Sequence, residues 1–173
     1  MPATISPACV PPDWPRPDVE PDLAVHRVTR ILPYTPEQLA ELVADVPAYP
    51  DFVRWVTAMR VWNRRDEAPG ITLLDAEAHV GFSFLTERFS TWVRHDRTIP
   101  SVEVGLIRGP FRHLKNRWIF HPDPKGTRLE FSIDFAFKSP ILNAMLKANF
   151  DRAVSALIGS FESEARRRYG AKP

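Results

Sequence analysis

The sequence predicts an α+β fold in which a seven-stranded antiparallel sheet wraps around one long C-terminal helix. Three observations carry that prediction. Between residues 127 and 138, Leu129, Phe131, Ile133, Phe135 and Phe137 alternate with Arg128, Glu130, Ser132, Asp134 and Lys138. Period two marks a strand with one buried face and one wet face. From residue 139 onward, Leu142, Leu146, Phe150, Ala153, Leu157, Phe161 and Ala165 recur every three or four positions, the spacing of one buried helix stripe. The chain of 173 residues also holds 18 prolines but only 7 glycines. Proline collects in tails, turns and element starts, so this density argues against a long helical bundle.

The elements follow in order. Residues 1–22 contain seven prolines and four acids against Arg16 alone, with few apolar side chains. Burial there does not repay the entropy of ordering, so the segment reads as a disordered Pro-rich tail. The body is read as residues 23–170, and the chain after the tail (23–173) keeps 22 basic and 17 acidic residues, a net charge of +5. Its first strand runs from Leu23 to Ile31 and stops at Leu32-Pro33. Thr35 then caps a helix, Pro36 fits its first position, Gln38 completes a capping box, and Tyr34 and Leu39 stand at staple positions. Leu39, Leu42, Val43 and Val46 face inward, and Pro47 and Pro50 end the helix at a short turn around Tyr49 and Phe52.

Six strands are read next, over Trp55–Arg64, Ile71–Val80, Phe84–His95, Val102–Arg108, Leu114–His121 and Thr127–Lys138. Pro69-Gly70, Gly81, Pro100, Gly109-Pro110 and residues 122–126 supply the turns between them. Short connections between successive strands make the sheet antiparallel. Ser139 caps the last helix, Pro140 takes its first position, Arg166, Arg167 and Arg168 suit its negative end, and Gly170 stops it. About thirty residues span roughly 45 Å. A helix of that length needs a long apolar partner, which the concave side of a curved sheet provides.

Composition narrows the chemistry. The single cysteine, Cys9, excludes an internal disulfide framework and a cysteine-based metal cluster. No run of 18 apolar residues is present, and the first twenty residues lack a secretory pattern. The expected setting is the reducing cytoplasm. A net charge of +2 gives no basis for a DNA partner. The five histidines form no HExxH or HxxxH pair, the glycines form no phosphate loop, and there is no GxSxG elbow. No catalytic residue and no metal ligand is assigned, and no covalent cofactor is expected.

The positive signal is aromatic density in the sheet and its partner helix. Most of these rings belong to a packed core. A curved sheet and a straight helix nevertheless leave a wedge between them, in the ~300–1,000 Å³ class of ligand cavities. The expected lining is Phe89, Val104, Trp118, Phe120, Phe131, Ile133 and Phe135 from the sheet, with Met145, Leu146, Asn149 and Phe150 from the helix. Asn149, at the edge of the apolar stripe, is the candidate anchor for a polar headgroup. Arg108, Phe111, Arg112 and Lys115 bracket Gly109-Pro110 and suit a rim that touches an anionic membrane or a partner.

Three stretches resemble the coenzyme Q-binding START-domain family of the polyketide cyclase/START-like superfamily. They are Tyr34-Thr35-Pro36 through Tyr49-Pro50-Asp51-Phe52-Val53, Gly109-Pro110-Phe111-Arg112-His113-Leu114 with Asn116 to Phe120, and Phe131 to Ser139 continued by Ala156 to Gly170. Where the family often has Pro-Trp-Cys after its Tyr-Pro-x-Phe turn, this chain has Arg54-Trp55-Val56. The resemblance implies a helix-grip fold with a cavity for a polyprenyl quinone. It implies ubiquinone as a bound ligand, a non-enzymatic chaperone role in respiration, delivery to a respiratory complex, and peripheral contact with the inner membrane. Similar sequences are also labelled ribosome-associated toxins of type II toxin–antitoxin pairs, which makes the ribosome an alternative partner. A third alternative is a small cyclase or aromatase, for which His79, His95 or Glu103 would supply the acid or base.

Overall fold

The computed structural model describes residues 25–82 and 85–171. The tail 1–22, the first two residues of the body and Phe84 lie outside the described residues. β1 (His26–Leu32) is followed by α1 (Pro36–Ala44), a 3₁₀ turn (Val46–Ala48) and the single-turn α2 (Tyr49–Phe52). The meander β2 (Val56–Ala68), β3 (Ile71–Phe82), β4 (Leu85–Asp96), β5 (Ser101–Arg108), β6 (Phe111–Asp123) and β7 (Gly126–Phe137) leads to α3 (Pro140–Tyr169). All seven strands form one antiparallel sheet in the order β1-β7-β6-β5-β4-β3-β2. This is the helix-grip arrangement expected from the alternation in β7 and the stripe in α3.

Local chemistry sets the element ends. Thr35 Oγ1 accepts from the Gln38 backbone N–H at 3.2 Å, and Gln38 Oε1 accepts from the Thr35 N–H at 3.0 Å, closing the capping box. Tyr34 and Leu39 are both buried beside it. Ser139 caps α3 through the Leu142 N–H, and Gly170 ends it at φ 82°. At the β6–β7 turn Gly126 has φ 127°, and a Cβ there would stand 2.3 Å from the Leu32 carbonyl oxygen. Only glycine tolerates both the backbone angle and the approach.

Two turn assignments need correction. Gly81 does not separate strands but continues β3 opposite Thr86. Pro122 lies inside β6, opposite Thr127. The β5 pairing has already ended at Ile119, so Pro122 has a neighbour on one side only, where a strand tolerates proline as it does at an edge.

Register shifts between Ser90 and Thr91 in β4, between Phe111 and His113 in β6, and at three places along β2 mark irregular ladder positions. Such bulges bend and twist strands. The concave face carries the main core, in which Leu42, Val53, Val102, Phe131 and Ile158 are fully buried. A smaller cluster of Phe111, Leu114 and Phe137 lies near the start of α3.

α3 is held differently at its two ends. At its C-terminal end the buried Glu164 accepts from Arg167 at 2.6 and 2.8 Å and from Arg168 at 2.7 Å, while Arg168 also reaches Asp45 at 2.8 Å. Tyr169 donates to the Gln38 carbonyl and Tyr34 to that of Gly170. Arg168 therefore braces the helix end against Asp45, just past α1, while Arg167 pairs with Glu164 within α3, so neither belongs to a free basic cluster. At the other end, the Asn143 amide bonds both the N–H and the carbonyl of Phe137.

Candidate functional site

Between the concave sheet face and α3 lies a cavity of about 310 Å³. Trp118 and Phe131, with ring centroids 4.4 Å apart, form part of its wall, and Trp118 also meets Phe161 at 5.0 Å. Phe135 stacks on Phe150 at 5.1 Å, and Phe89 meets Phe111 edge-on at 5.2 Å. Leu146, Phe150, Ala153, Val154, Leu157 and Phe161 supply the helix side.

The polar groups of the wall are few and mostly engaged. Trp118 Nε1 donates to Asn116 Oδ1 at 3.2 Å, and the Tyr49 hydroxyl donates to the Val43 carbonyl. Desolvation, reinforced by the Asp45 carboxylate, pushes the Tyr49 phenol far above its usual range. Among the described residues, the wall contains no Asp, Glu, His, Lys or Arg. Such a surface solvates an apolar molecule and offers no group that exchanges a proton near neutral pH.

Of the residues expected to line the wedge, Phe89, Val104, Trp118, Phe131, Ile133, Phe135, Leu146 and Phe150 stand on this wall. Phe120 does not. It shares the concave face but is buried farther along β6, in the closed core where α1 packs. Met145 is half-buried off the wall, and Asn149 is exposed and donates to the Met145 carbonyl at 3.1 Å. Each precedes a lining residue by one position, a rotation of about 100° around the helix. Asn149 therefore anchors nothing inside the cavity. Tyr49, Val53, Trp55, Met59 and Val80 were missed. The apolar parity of β2 and β3 pointed to the last two, but the α2 turn bears no period from which to read the others.

The rim also divides. Arg108 and Arg112 are exposed beside the β5–β6 turn, with Ile107 exposed next to them. The Lys138 N–H donates to the Pro110 carbonyl at 2.8 Å, which brings that turn against the start of α3 and its exposed Ile141. Lys115 is exposed on the outer sheet face, between the buried Leu114 and the half-buried Asn116. Phe111 is no rim residue: it is buried and stacks on Phe137 at 4.6 Å.

The residues considered for acid–base work lie elsewhere. His79 bonds Glu77 at 3.1 Å, and Glu103 pairs with Arg117 at 2.9 Å, both at strand positions alternate to those on the wall. His95 is on the inner face but opens into a separate polar cavity beside the end of α3.

Comparison with known proteins follows this geometry. A family model described as polyketide cyclase / dehydrase and lipid transport matches residues 32–162. Ribosome association toxin RatA of Rickettsia prowazekii is 33% identical over 141 residues, covering 80% of this chain and 93% of that protein. Coenzyme Q-binding protein COQ10 homolog B, mitochondrial, of Xenopus laevis is 32% identical over 149 residues, covering 82% of this chain but 58% of its own length. Among solved structures, the 18 kDa protein CC1736 of Caulobacter crescentus is 54% identical, with a TM-score of 0.72 over 85% of this chain and 99% of that one. The ZhuI aromatase/cyclase of a Streptomyces species shares the fold at 18% identity, with a TM-score of 0.68 over 85% of this chain and 94% of that one.

Proposed function

The chain belongs to the polyketide cyclase / dehydrase and lipid transport family, and on that premise we propose that it binds a polyprenyl quinone, ubiquinone, as a non-enzymatic carrier supporting respiratory electron transport. The observation that carries this reading is the aromatic, charge-free wall of the 310 Å³ cavity. Burial of isoprenoid surface against it contributes roughly 25 cal/mol per Å² before the costs of binding. The volume is at the low end for small-ligand cavities, about 300–1,000 Å³. It takes part of the quinone, and the rest of the molecule lies outside the cavity. The name of the Xenopus relative supports the same ligand class.

The mouth of the cavity suits collection from a membrane. Arg108 and Arg112 have no acidic partner among the described residues, and the exposed Ile107 and Ile141 stand beside them. Cations around apolar tips attract and then enter an anionic bilayer surface. No helix among the described residues is long and apolar enough to cross a membrane, so contact through this rim is peripheral.

The test is extraction of purified protein with mass spectrometry of the extract, together with titration of a short-chain ubiquinone. The intact protein should carry or saturably bind quinone. Ala153→Trp, which fills the cavity from α3, should abolish binding while leaving the sheet signature in circular dichroism unchanged. Absence of saturable binding by the intact protein, or equal binding by the folded variant, overturns the reading.

A second reading, association with ribosomes, is favoured by the name and 33% identity of the Rickettsia relative. It predicts that overproduction alters the subunit profile in sucrose gradients. An unchanged profile removes it.

A further inference from the structure

The polar cavity beside the C-terminal end of α3 has a volume of about 260 Å³. Its polar wall brings together Glu41 of α1, Asp45 just after that helix, Arg64 of β2, His95 of β4, Arg97, and Arg168 of α3. The quinone reading makes no use of it.

We propose that this cavity binds a small oxyanion, a molecule bearing a phosphate or carboxylate group. Three guanidinium groups and one imidazole converge on it. Arg64 is exposed and has no partner among the described residues. Arg97 donates to Glu41 at 2.7 Å and to Thr72 at 3.0 Å, and Arg168 donates to Asp45 at 2.8 Å. His95 is only 5% exposed, and its buried Nε2 makes no hydrogen bond. A buried ring nitrogen without a partner is costly, and native structures satisfy such groups. Its nearest acidic atom is Glu41 Oε1, at 4.0 Å.

That carboxylate identifies the ligand chemistry. Glu41 already places an oxyanion between Arg97 and His95, but from an exposed side chain and too far away to bond the imidazole. An incoming phosphate or carboxylate replaces Glu41 at Arg97, accepts from His95 Nε2 and gains Arg64. Burial and the adjacent Arg97 lower the basicity of His95, so it takes part as a neutral donor in its Nε2–H tautomer. At about 30 Å³ per water-sized group, the cavity holds a molecule of roughly ten non-hydrogen atoms or fewer. A small metabolite fits, and a polymer does not.

The test titrates the folded protein with inorganic phosphate and, separately, with succinate, following the His95 ring nitrogens by NMR. A saturable shift at Nε2 is expected with one of the two. The anion that binds more tightly assigns the phosphate or the carboxylate class. Arg64→Gln, at an exposed position, should weaken binding about tenfold, the effect of losing one charge-assisted hydrogen bond. Glu41→Gln should tighten it, because the competing carboxylate is gone. The proposal is overturned if neither anion shifts His95 saturably up to about 10 mM. It is equally overturned if Arg64→Gln binds as before or Glu41→Gln binds more weakly. Ubiquinone titration of the same samples separates failure here from failure of the quinone reading.

Discussion

The two halves of α3 do opposite work. From Phe150 to Ala165 the helix buries Phe150, Val154, Ile158, Phe161 and Ala165, and its end is braced by Glu164, Arg168 and two tyrosines. From Pro140 to Asn149 it buries no side chain fully, is pinned through Asn143 at its root, and contributes Leu146 to the cavity wall. One helix thus combines a fixed anchor with a lightly held roof. Segments with few buried contacts open at the low end of the free-energy scale, so the Pro140–Asn149 half is expected to loosen before the half that carries most of the helix side of the cavity wall.

The largest expected effect tests that contrast directly. Phe161→Ala should cost about 3–5 kcal/mol in denaturant unfolding, because the ring packs against Tyr49, Phe52 and Trp118. Leu146→Ala, on the half-buried roof, should cost only about 1 kcal/mol, below the range for a fully buried leucine. Equal costs would dissolve the distinction between anchor and roof.

Next in size is the polar brace. Hydrogen bonds from Arg167 and then Arg168 hold the Glu164 carboxyl down at about 2, against its burial. The folded value lies below the unfolded one, near 4.5. Its stabilisation is therefore fully present above about pH 4.5 and is lost as the pH falls towards 2. Glu164→Gln should cost on the order of 2 kcal/mol at pH 7, less than the full shift implies because Arg167 is exposed. The difference from the unaltered chain should shrink steadily in unfolding curves taken from pH 5 to pH 3. A difference independent of pH would assign the brace to packing instead of charge.

The smallest effect concerns the interior of the anchoring half of α3. A Cβ at Gly159 would meet nothing within 4 Å. Gly159→Ala should then stabilise the protein by about 0.5–1 kcal/mol, seen as a rise in Tm. A fall in Tm would show that the helix needs to bend at this point.

The strand alternation and the capping chemistry were legible because each is local. Thr35, Pro36 and Gln38 define α1 within four positions, and the β7 alternation assigns Phe131 and Ile133 to the inner face without knowledge of any neighbour. Depth along that face is not local. Phe120 has the same parity as Trp118 but lies where α1 closes the core. Helical spacing likewise marks a stripe without its exact centre, which misplaced Met145 and Asn149 by one position each. The polar cavity was hidden for a different reason: Glu41, Arg64, the neighbouring His95 and Arg97, and Arg168 come from four distant parts of the chain. Its one sequence signal was parity, since His95 follows Phe89, Thr91 and Val93 on the inward side of β4.

The order of the sheet has a consequence for how the chain folds. Every neighbouring pair from β2 to β7 joins consecutive strands, but β1 pairs with β7, setting His26 opposite Ile133. During synthesis β1 therefore emerges first and waits for its neighbour until more than a hundred later residues have followed. Closing so long a loop is slow compared with forming hairpins. The Thr127 hydroxyl, which bonds the Tyr34 carbonyl at 2.6 Å, fastens α1 to the sheet in the same event. The first strand made is thus among the last pieces set in place, and its docking completes the sheet.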